Sequence, residues 1–232
     1  MSLPPLILKQ NEDRRLRAGH LWVFSNEVDI ARTSLKDFAP GDAVEIQSHN
    51  GRFIGSGYVN PNSLIAARIL SRDEKHLPDR SLLVHRLNIA LSLRERLYPK
   101  PFYRLVFGES DNLPGLVVDR YGDVLVAQIT TAGMEKMKTD IVAALTKVLR
   151  PAGILFRNDV GIRELEGLPL YTEVAYGSIP DTVALEEHGQ KFEVALAGGQ
   201  KTGWFFDQHD NRGRLLRYVP GQRVLDVFSY VG

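Results

Sequence analysis

The sequence contains no cysteine among its 232 residues. This absence excludes disulfide bridges, zinc bound through thiolates and a cysteine nucleophile from these residues. It is also typical of proteins in a reducing compartment, so we expect a cytoplasmic location. No apolar run approaches the ~20 residues that a membrane-spanning helix requires, and the first residues show neither the basic start nor the cleavage site of a secretory signal. We therefore expect a soluble protein that makes no membrane contact.

Motifs of several enzyme classes are missing as well. None of the six histidines forms a short pair with a nearby carboxylate, so the sequence predicts no metal site. The serine of "GSG" at 55–57 lacks the frame of a hydrolase nucleophile turn. No glycine-rich loop ends in the lysine of a P-loop. Hydrolase, metalloenzyme and P-loop functions are therefore poorly supported.

The composition, 44% hydrophobic and 25% charged, is that of a globular chain with a sizeable core. Charge is divided unevenly along it. Residues 1–104 hold 16 basic and 11 acidic side chains, whereas residues 105–232 hold 13 and 17, which gives +5 and −4. A basic first part indicates an anionic partner such as RNA. On charge alone, an ordinary solvated surface explains the asymmetry slightly better.

Residues 1–76 carry short strand signals separated by turn-forming residues. Pro40-Gly41-Asp42 and Asn50-Gly51 favour turns. The apolar stretches around them predict strands at 43–47, 53–59 and 64–70, an arrangement typical of a small β-barrel or sandwich. Gly55 and Gly57 within the second strand indicate a bulge, or a close approach by a neighbouring strand or a ligand.

Residues 77–198 predict an α+β region. Apolar spacing predicts a helix over 80–98 that Pro99 stops, and a second helix from Met134 that ends before Pro151. Residues 119–123 indicate a hairpin turn, residues 153–159 a strand, and residues 183–199 another hairpin that turns near 188–190.

Residues 199–232 contain the stretch "KTGWFFDQHDNR" at 201–212 and end in "VLDVFSYVG" at 224–232. Asp207 is expected to cap a helix that runs to about Tyr218, and residues 223–228 are expected to form a buried strand. In doubly wound α/β folds ligands lie against the carboxyl ends of strands, where Asp226 would accept a hydrogen bond or balance a cation. A strand with this ending is more often ordinary sheet and turn. The polar cluster over 208–212 beside three aromatic residues, however, is typical of a ligand-binding surface.

The motifs "FFDQHDNR" and "VLDVFSYVG" resemble the large-subunit ribosomal RNA cytosine-C5 methyltransferases, which use S-adenosylmethionine. "PGDAVEIQSHNGRFIGSGYVNPNSLIAARILSRD", "GESDNLPGLVVDRYGD" and "EEHGQKF" are similar to the earlier parts of the same family. The resemblance implies a PUA-like RNA-binding β-barrel over 1–76, a central α+β domain over 77–198, and over 199–232 the start of a Rossmann-like class I methyltransferase domain.

The resemblance also assigns candidate cofactor-binding residues. The set that matches the first methyltransferase motif is Asp226, Phe228, Tyr230 and Gly232. The set that matches the segment approaching S-adenosylmethionine is Asp207, Gln208 and Arg212. Val231 stands where the family usually has threonine, which removes a hydroxyl from the loop.

In the family that this chain resembles, a cysteine adds to carbon 6 of the cytosine and activates carbon 5. This sequence has no cysteine, so it offers no candidate catalytic residue. Only the first strand of the methyltransferase sheet is expected within the chain. We therefore expect an N-terminal fragment that is inactive alone and binds S-adenosylmethionine weakly or not at all. The unpaired edges of that strand would favour self-association.

The resemblance further implies ribosomal RNA as the partner, because PUA domains bind RNA. Candidate phosphate contacts are Lys9, Arg14, Arg15 and Arg17, and candidate stacking groups are Trp22 and Phe24. Burial of both aromatic residues in the core explains them equally well. A non-catalytic RNA-binding module is the alternative function.

Overall fold

The computed structural model describes residues 3–198 and 202–227. Five short strands near the N-terminus form the first sheet, in the order β1-β3-β4-β5-β2. Strands β1 and β3 are parallel, and the other pairs are antiparallel. The strands are β1 (Pro5–Ile7), β2 (Trp22–Val23), β3 (Asp42–Gln47), β4 (Phe53–Val59) and β5 (Ala67–Ser71), with the one-turn helix α1 (Arg14–Arg17) between the first two.

The predicted strands in this region are confirmed, although the third begins three residues later than expected. The side chain of Asn60 accepts a hydrogen bond from the Asn62 backbone N–H at 3.0 Å, and the Asn60 backbone N–H donates to the Ala66 carbonyl at 2.7 Å. These two bonds close residues 60–66 into a loop, so pairing with β4 starts only at Ala67.

Both expectations for the glycines of β4 are confirmed. The register between β4 and β5 shifts between Ser56 and Gly57. A Cβ atom on Gly57 would lie 1.9 Å from the Arg68 carbonyl oxygen, so only glycine lets the two backbones approach this closely. The neighbour that requires the glycine is therefore strand β5.

The second sheet has the order β10-β9-β8-β7-β6, and only β8 and β9 run parallel among its described strands. The helix expected over 80–98 is confirmed as α2 (Arg80–Leu97), whose first turn is capped by the Asp79 carboxylate. The remaining elements are β6 (Phe102–Phe107), β7 (Leu116–Tyr121), β8 (Val124–Ile129), α3 (Ala132–Lys136), α4 (Lys138–Leu149), β9 (Gly153–Asn158) and β10 (Tyr171–Gly177).

Each face of the second sheet carries its own layer. Helices α2 and α4 cover one face, where Leu83, Leu87 and Ile141 pack against strand residues. The hairpin of β11 (Thr182–Glu187) and β12 (Gln190–Ala195) covers the other, together with Trp204 and Phe206. The helix expected from Met134 onwards is divided, since Met137 at φ −89° and ψ 6° interrupts it between α3 and α4. Strands β6 and β10 were not predicted.

Two expectations for the C-terminal segment are wrong. Residues 223–227 form no strand, because no described strand pairs with them and their apolar side chains stay in solvent, with Leu225 86% exposed. Asp207 does not cap a helix to Tyr218 either. It lies in a 3-10 turn, Phe206–Gln208, and helix α5 (His209–Leu215) begins after it, with Gln208 at the capping position.

The two sheets are joined by buried polar contacts. The Tyr58 hydroxyl donates to the Pro114 carbonyl at 2.7 Å and lies 2.8 Å from the Thr131 hydroxyl. The Glu166 carboxylate accepts from Arg68 at 2.9 Å and from Asn60 at 2.7 Å. The contacts of Tyr58 and those of Glu166 both cross from the first sheet to loops of the second, so the two sheets have a fixed relative position.

No helix in the described ranges has the length and apolarity needed to cross a bilayer.

Candidate functional site

The tip of the β11–β12 hairpin holds the segment that carries the predicted cofactor residues. His188 and Gly189 both have positive φ, as a tight two-residue hairpin turn requires. The turn places Glu187 against the chain beyond it. The buried Glu187 carboxylate accepts from the Trp204 indole N–H at 3.0 Å and from Arg212 Nη2 at 2.9 Å, and it also accepts from Arg212 Nε. Glu187 thus joins the hairpin to helix α5.

Arg212 is held on several sides. Its guanidinium lies 4.7 Å from the Trp204 ring centre and donates to the Phe205 carbonyl at 2.9 Å. Burial alone would raise the pKa of the Glu187 carboxyl, but the hydrogen bonds from Arg212 and Trp204 outweigh it and keep that pKa below its usual range. The pair is therefore ionised and ordered at neutral pH.

Two histidines extend this contact along helix α5. His188 Nε2 lies 2.8 Å from the His209 carbonyl oxygen, and the two rings are 4.4 Å apart. Gly213 makes room for the turn, since a Cβ atom there would come within 2.6 Å of the His188 ring. The hairpin tip thus fits directly against α5.

The structure brings three of the predicted cofactor residues together and leaves the others apart. Asp207, Gln208 and Arg212 share the start of α5, where Asp207 and Gln208 are exposed and Arg212 faces inward. Asp226 lies in the exposed stretch 222–227. Phe228, Tyr230, Val231 and Gly232 fall outside the described residues.

Asp119 anchors this segment to the second sheet, a role that its sequence position in a hairpin motif did not reveal. Its fully buried carboxylate accepts from Arg104 Nε at 2.9 Å and Nη2 at 3.0 Å, and from the Thr202 hydroxyl. The Tyr121 hydroxyl donates to the Thr202 carbonyl at 3.1 Å and accepts from the Trp204 N–H at 2.8 Å. Residues 202–204 are thereby tied to β7.

The candidate RNA-binding residues lie around α1 and β2. Arg14 is exposed, Lys9 donates to the Asn26 carbonyl at 2.7 Å, and Arg17 pairs with Asp13 at 2.7 Å on the surface. Arg15 is more constrained. It binds both oxygens of the buried Glu27 at 2.7 and 2.9 Å, and its guanidinium lies 4.8 Å from the Phe24 ring centre.

The two aromatic candidates differ in exposure. Phe24 is half-buried beneath Arg15, whereas Trp22 is 38% exposed. The Trp22 indole N–H donates to Glu109 of the second sheet's loops at 2.6 Å. Neither residue is a fully buried core residue, and Trp22 presents ring surface to solvent.

A metal site is not evident. Over 3–198 and 202–227, the histidine, aspartate and glutamate side chains nowhere form a group of three that could hold an ion.

Residues 6–72 match a family described as a PUA-like domain, which identifies the first sheet. The whole chain is similar to proteins named ribosomal RNA large subunit methyltransferase I. It is 39% identical over 231 residues to that of Cronobacter sakazakii and 38% identical over 231 residues to that of Aliivibrio fischeri, covering 98% of this chain and 58% of each relative. The resemblance to large-subunit ribosomal RNA methyltransferases that the motifs predicted is thus confirmed, and the chain spans 58% of the length of these relatives.

Solved structures show the same fold. A putative SAM-dependent methyltransferase from Streptococcus mutans superposes with a TM-score of 0.74 at 20% identity, over 94% of this chain and 55% of that protein. A putative methyltransferase complexed with SAH gives 0.75 at 20% identity, over 93% and 54%. The mixed α/β fold of this chain therefore occurs in both of these solved structures.

Glu187 is expected to make a pH-dependent contribution to the free energy of unfolding. Because its pKa is lowered in the folded state, its contribution to stability is present above the unfolded value of about 4.3 and is lost as pH falls through the folded pKa. Glu187→Gln should therefore lower the free energy of unfolding by about 1–3 kcal/mol at pH 7, and this difference should shrink below about pH 4. Urea titrations at pH 7 and pH 3 measure both values. An equal deficit at the two pH values would contradict the assignment. Glu193→Gln on β12 is the matched control, because Glu193 is exposed, and glutamine keeps the acceptor for the Thr182 hydroxyl.

Proposed function

We propose that this chain is the RNA-binding and cofactor-approach part of a methyltransferase that transfers a methyl group from S-adenosylmethionine to a cytosine of large-subunit ribosomal RNA. The observation that carries the proposal is similarity over 98% of the chain to relatives named ribosomal RNA large subunit methyltransferase I. In this proposal residues 1–76 bind RNA, residues 77–198 form the central domain, and residues 199–232 begin a Rossmann-like methyltransferase domain.

The segment at the start of α5 suits the proposed cofactor. S-adenosylmethionine carries an ammonium group and ribose hydroxyls, and the exposed Asp207 carboxylate and Gln208 amide can bind such groups. When bound, the cofactor supplies an electrophilic methyl group. Arg212 has a different role, because its charge is already paired with Glu187. It fixes α5 so that Asp207 and Gln208 remain at the surface.

The loop residues Asp226, Phe228, Tyr230 and Gly232 complete the proposed cofactor set. They rest on the motif match alone, and Asp226 is the member within the described residues. An exposed carboxylate at this position can accept hydrogen bonds from ribose hydroxyls.

Residues 1–232 by themselves should bind RNA without methylating it. The mechanism implied by the family resemblance uses a cysteine, and these residues contain none. The test incubates the chain with labelled S-adenosylmethionine and large-subunit RNA, and in parallel measures RNA affinity over a range of salt concentrations. We expect no methyl transfer, and an affinity that falls steeply with salt because Lys9, Arg14 and Arg17 contact phosphates.

Three outcomes of this experiment contradict the proposal. Methyl transfer at the rate of a full-length relative would exclude the proposal that these residues bind RNA without methylating it. Absence of RNA binding would exclude the role of residues 1–76. A salt-independent affinity would exclude the phosphate contacts. When one of Lys9, Arg14 or Arg17 is replaced by alanine, Lys36→Ala, which removes an exposed lysine from the 3-10 turn Leu35–Asp37, is the control for the loss of one positive charge.

A further inference from the structure

The cleft between the PUA-like domain and the second sheet is a cavity of about 490 Å³. We name it the intersheet cleft. From the PUA-like domain it is lined by Trp22 and the loop 62–65, and from the other side by Glu109, Ile162 and Leu165. Its volume is in the range of sites that bind small organic groups, roughly 300–1,000 Å³.

The walls of the intersheet cleft expose apolar side chains from both domains. Leu64 is 81% exposed, Leu165 is 71% exposed and Ile162 is 52% exposed. Three large aliphatic side chains facing one hollow constitute an exposed apolar patch, and such patches mark binding sites. Trp22 adds an aromatic ring at the same edge.

The polar floor of the cleft is already satisfied. The nearly buried Glu166 carboxylate accepts from Arg68 at 2.9 Å, from Asn60 at 2.7 Å and from the Ala132 N–H at 3.3 Å. Arg68 is therefore neutralised, and the remaining charge on the cleft wall is the negative Glu109. This balance disfavours a phosphate and suits a flat, uncharged group.

A second feature lies next to the cleft. A hollow of about 370 Å³ shares Trp22 and Glu109 with the cleft and is lined by His20 as well. The His20 carbonyl accepts a hydrogen bond from Arg72 at 2.8 Å. Arg72 also lines a third hollow, of about 460 Å³. We name this third one the basic hollow.

The basic hollow brings together two arginines, Arg72 and Arg86. It is lined by Arg72, His76, His85 and Arg86, together with Asp73, which is paired with His76 at 2.9 Å. In the described ranges no carboxylate lies within ion-pair distance of Arg72 or Arg86. The Arg86 Nε is buried without a hydrogen-bond partner. A phosphate would satisfy this unpartnered donor and balance the two guanidinium groups.

We propose that a single-stranded segment of RNA binds along this path, with a phosphate in the basic hollow and one unstacked base in the intersheet cleft beside Trp22. The proposal rests on the function proposed above, and it adds a defined base site and a phosphate site. The basic hollow suits the anionic backbone of a nucleotide, and the intersheet cleft suits its flat apolar base. The hollow between them, beside His20, connects the two sites. Aromatic stacking contributes substantially to such binding and tolerates any base.

The base site is tested with the chain itself and a fluorescein-labelled single-stranded RNA of twelve nucleotides. Trp22→Leu and Leu64→Ser should each weaken binding, the former about tenfold, without changing the salt dependence. RNA should also quench tryptophan fluorescence in the wild type, and Trp22→Phe should remove this quenching. Ile30→Ser alters another exposed aliphatic side chain, 65% exposed and outside the cleft lining, and serves as the matched control.

The phosphate site is tested with Arg86→Gln. This change should weaken binding and reduce the slope of log affinity against log salt by about 0.7. Arg96→Gln, an exposed arginine in the last turn of the same helix, should leave both unchanged. Leu64 is a surface residue, so its variant remains informative if Trp22→Leu fails to fold.

The outcomes separate the two proposals. RNA binding that survives in the Trp22, Leu64 and Arg86 variants but depends on Lys9, Arg14 and Arg17 would overturn the cleft proposal and leave the proposed function standing. Equal loss of single-stranded and duplex RNA on replacing Trp22 would also overturn it. If the wild type binds no RNA at all, the proposed function itself fails.

Discussion

Glu166→Ala should lower the free energy of unfolding by about 3–5 kcal/mol, because it leaves a buried charge without its partner. Arg68 is nearly buried, and Glu166 is its ion-pair partner. The same carboxylate satisfies the Asn60 amide and the Ala132 backbone N–H. Alanine would leave all three donors without this acceptor at the floor of the intersheet cleft, where Arg68 is only 8% exposed. Urea unfolding followed by circular dichroism measures the loss.

Two variants define the contribution of the Glu166 charge. Glu166→Gln keeps an acceptor for Asn60 but removes the charge that balances Arg68, so an intermediate loss is expected. Glu164→Ala alters an exposed acid of the same 3-10 turn, Gly161–Glu166, and should stay within about 0.5 kcal/mol of the wild type. A loss below about 1 kcal/mol for Glu166→Ala would show that Arg68 finds another partner or reaches solvent.

The second large effect is expected at Asp119. Asp119→Ala removes the acceptor for both Arg104 nitrogens and for the Thr202 hydroxyl, in a fully buried position. We expect a loss of about 3–5 kcal/mol in the free energy of unfolding. The segment containing Trp204 should also lose protection, because Thr202 is one of its attachments to β7. Hydrogen exchange measured by mass spectrometry over 202–208 detects this second effect.

Two controls accompany the Asp119 experiment. Asp123→Ala alters an exposed acid at the turn of the same hairpin and should change neither stability nor exchange. Thr202→Val removes one of the three donors and should raise exchange over 202–208 with a smaller loss of stability. Unchanged exchange in the Asp119 variant would mean that the contacts of Tyr121 and Glu187 hold the segment without Asp119.

Local sequence signals predicted the elements that depend on local chemistry. The hairpins around Asn50-Gly51 and His188-Gly189 occur as expected. The first turns at Gly51 and the second at His188 and Gly189, all of which adopt positive φ. Helix α2 follows from apolar spacing and from the prolines after it. The glycines of β4 indicated a close neighbour, and the structure identifies that neighbour as Arg68.

The misplaced elements depend on partners distant in sequence. A strand over 223–228 needs a neighbouring strand for its backbone groups, which the apolar pattern cannot supply. The role of Asp119 depends on Arg104 and Thr202, residues 15 before and 83 after it in the chain. Glu166 likewise gave no signal, because its partners lie 98 and 106 residues earlier. The intersheet cleft could not be predicted for the same reason, since each wall comes from a different sheet.

The long separation between Glu166 and its partners has a consequence for synthesis on the ribosome. The first sheet is complete once Ser71 has emerged, and domains generally begin to fold in the order in which they are made. Asn60 and Arg68 must then remain hydrated until residue 166 follows. The PUA-like domain therefore forms with one polar face uncovered, and the cleft beside Trp22 takes shape only when the nascent chain has grown by about a hundred further residues.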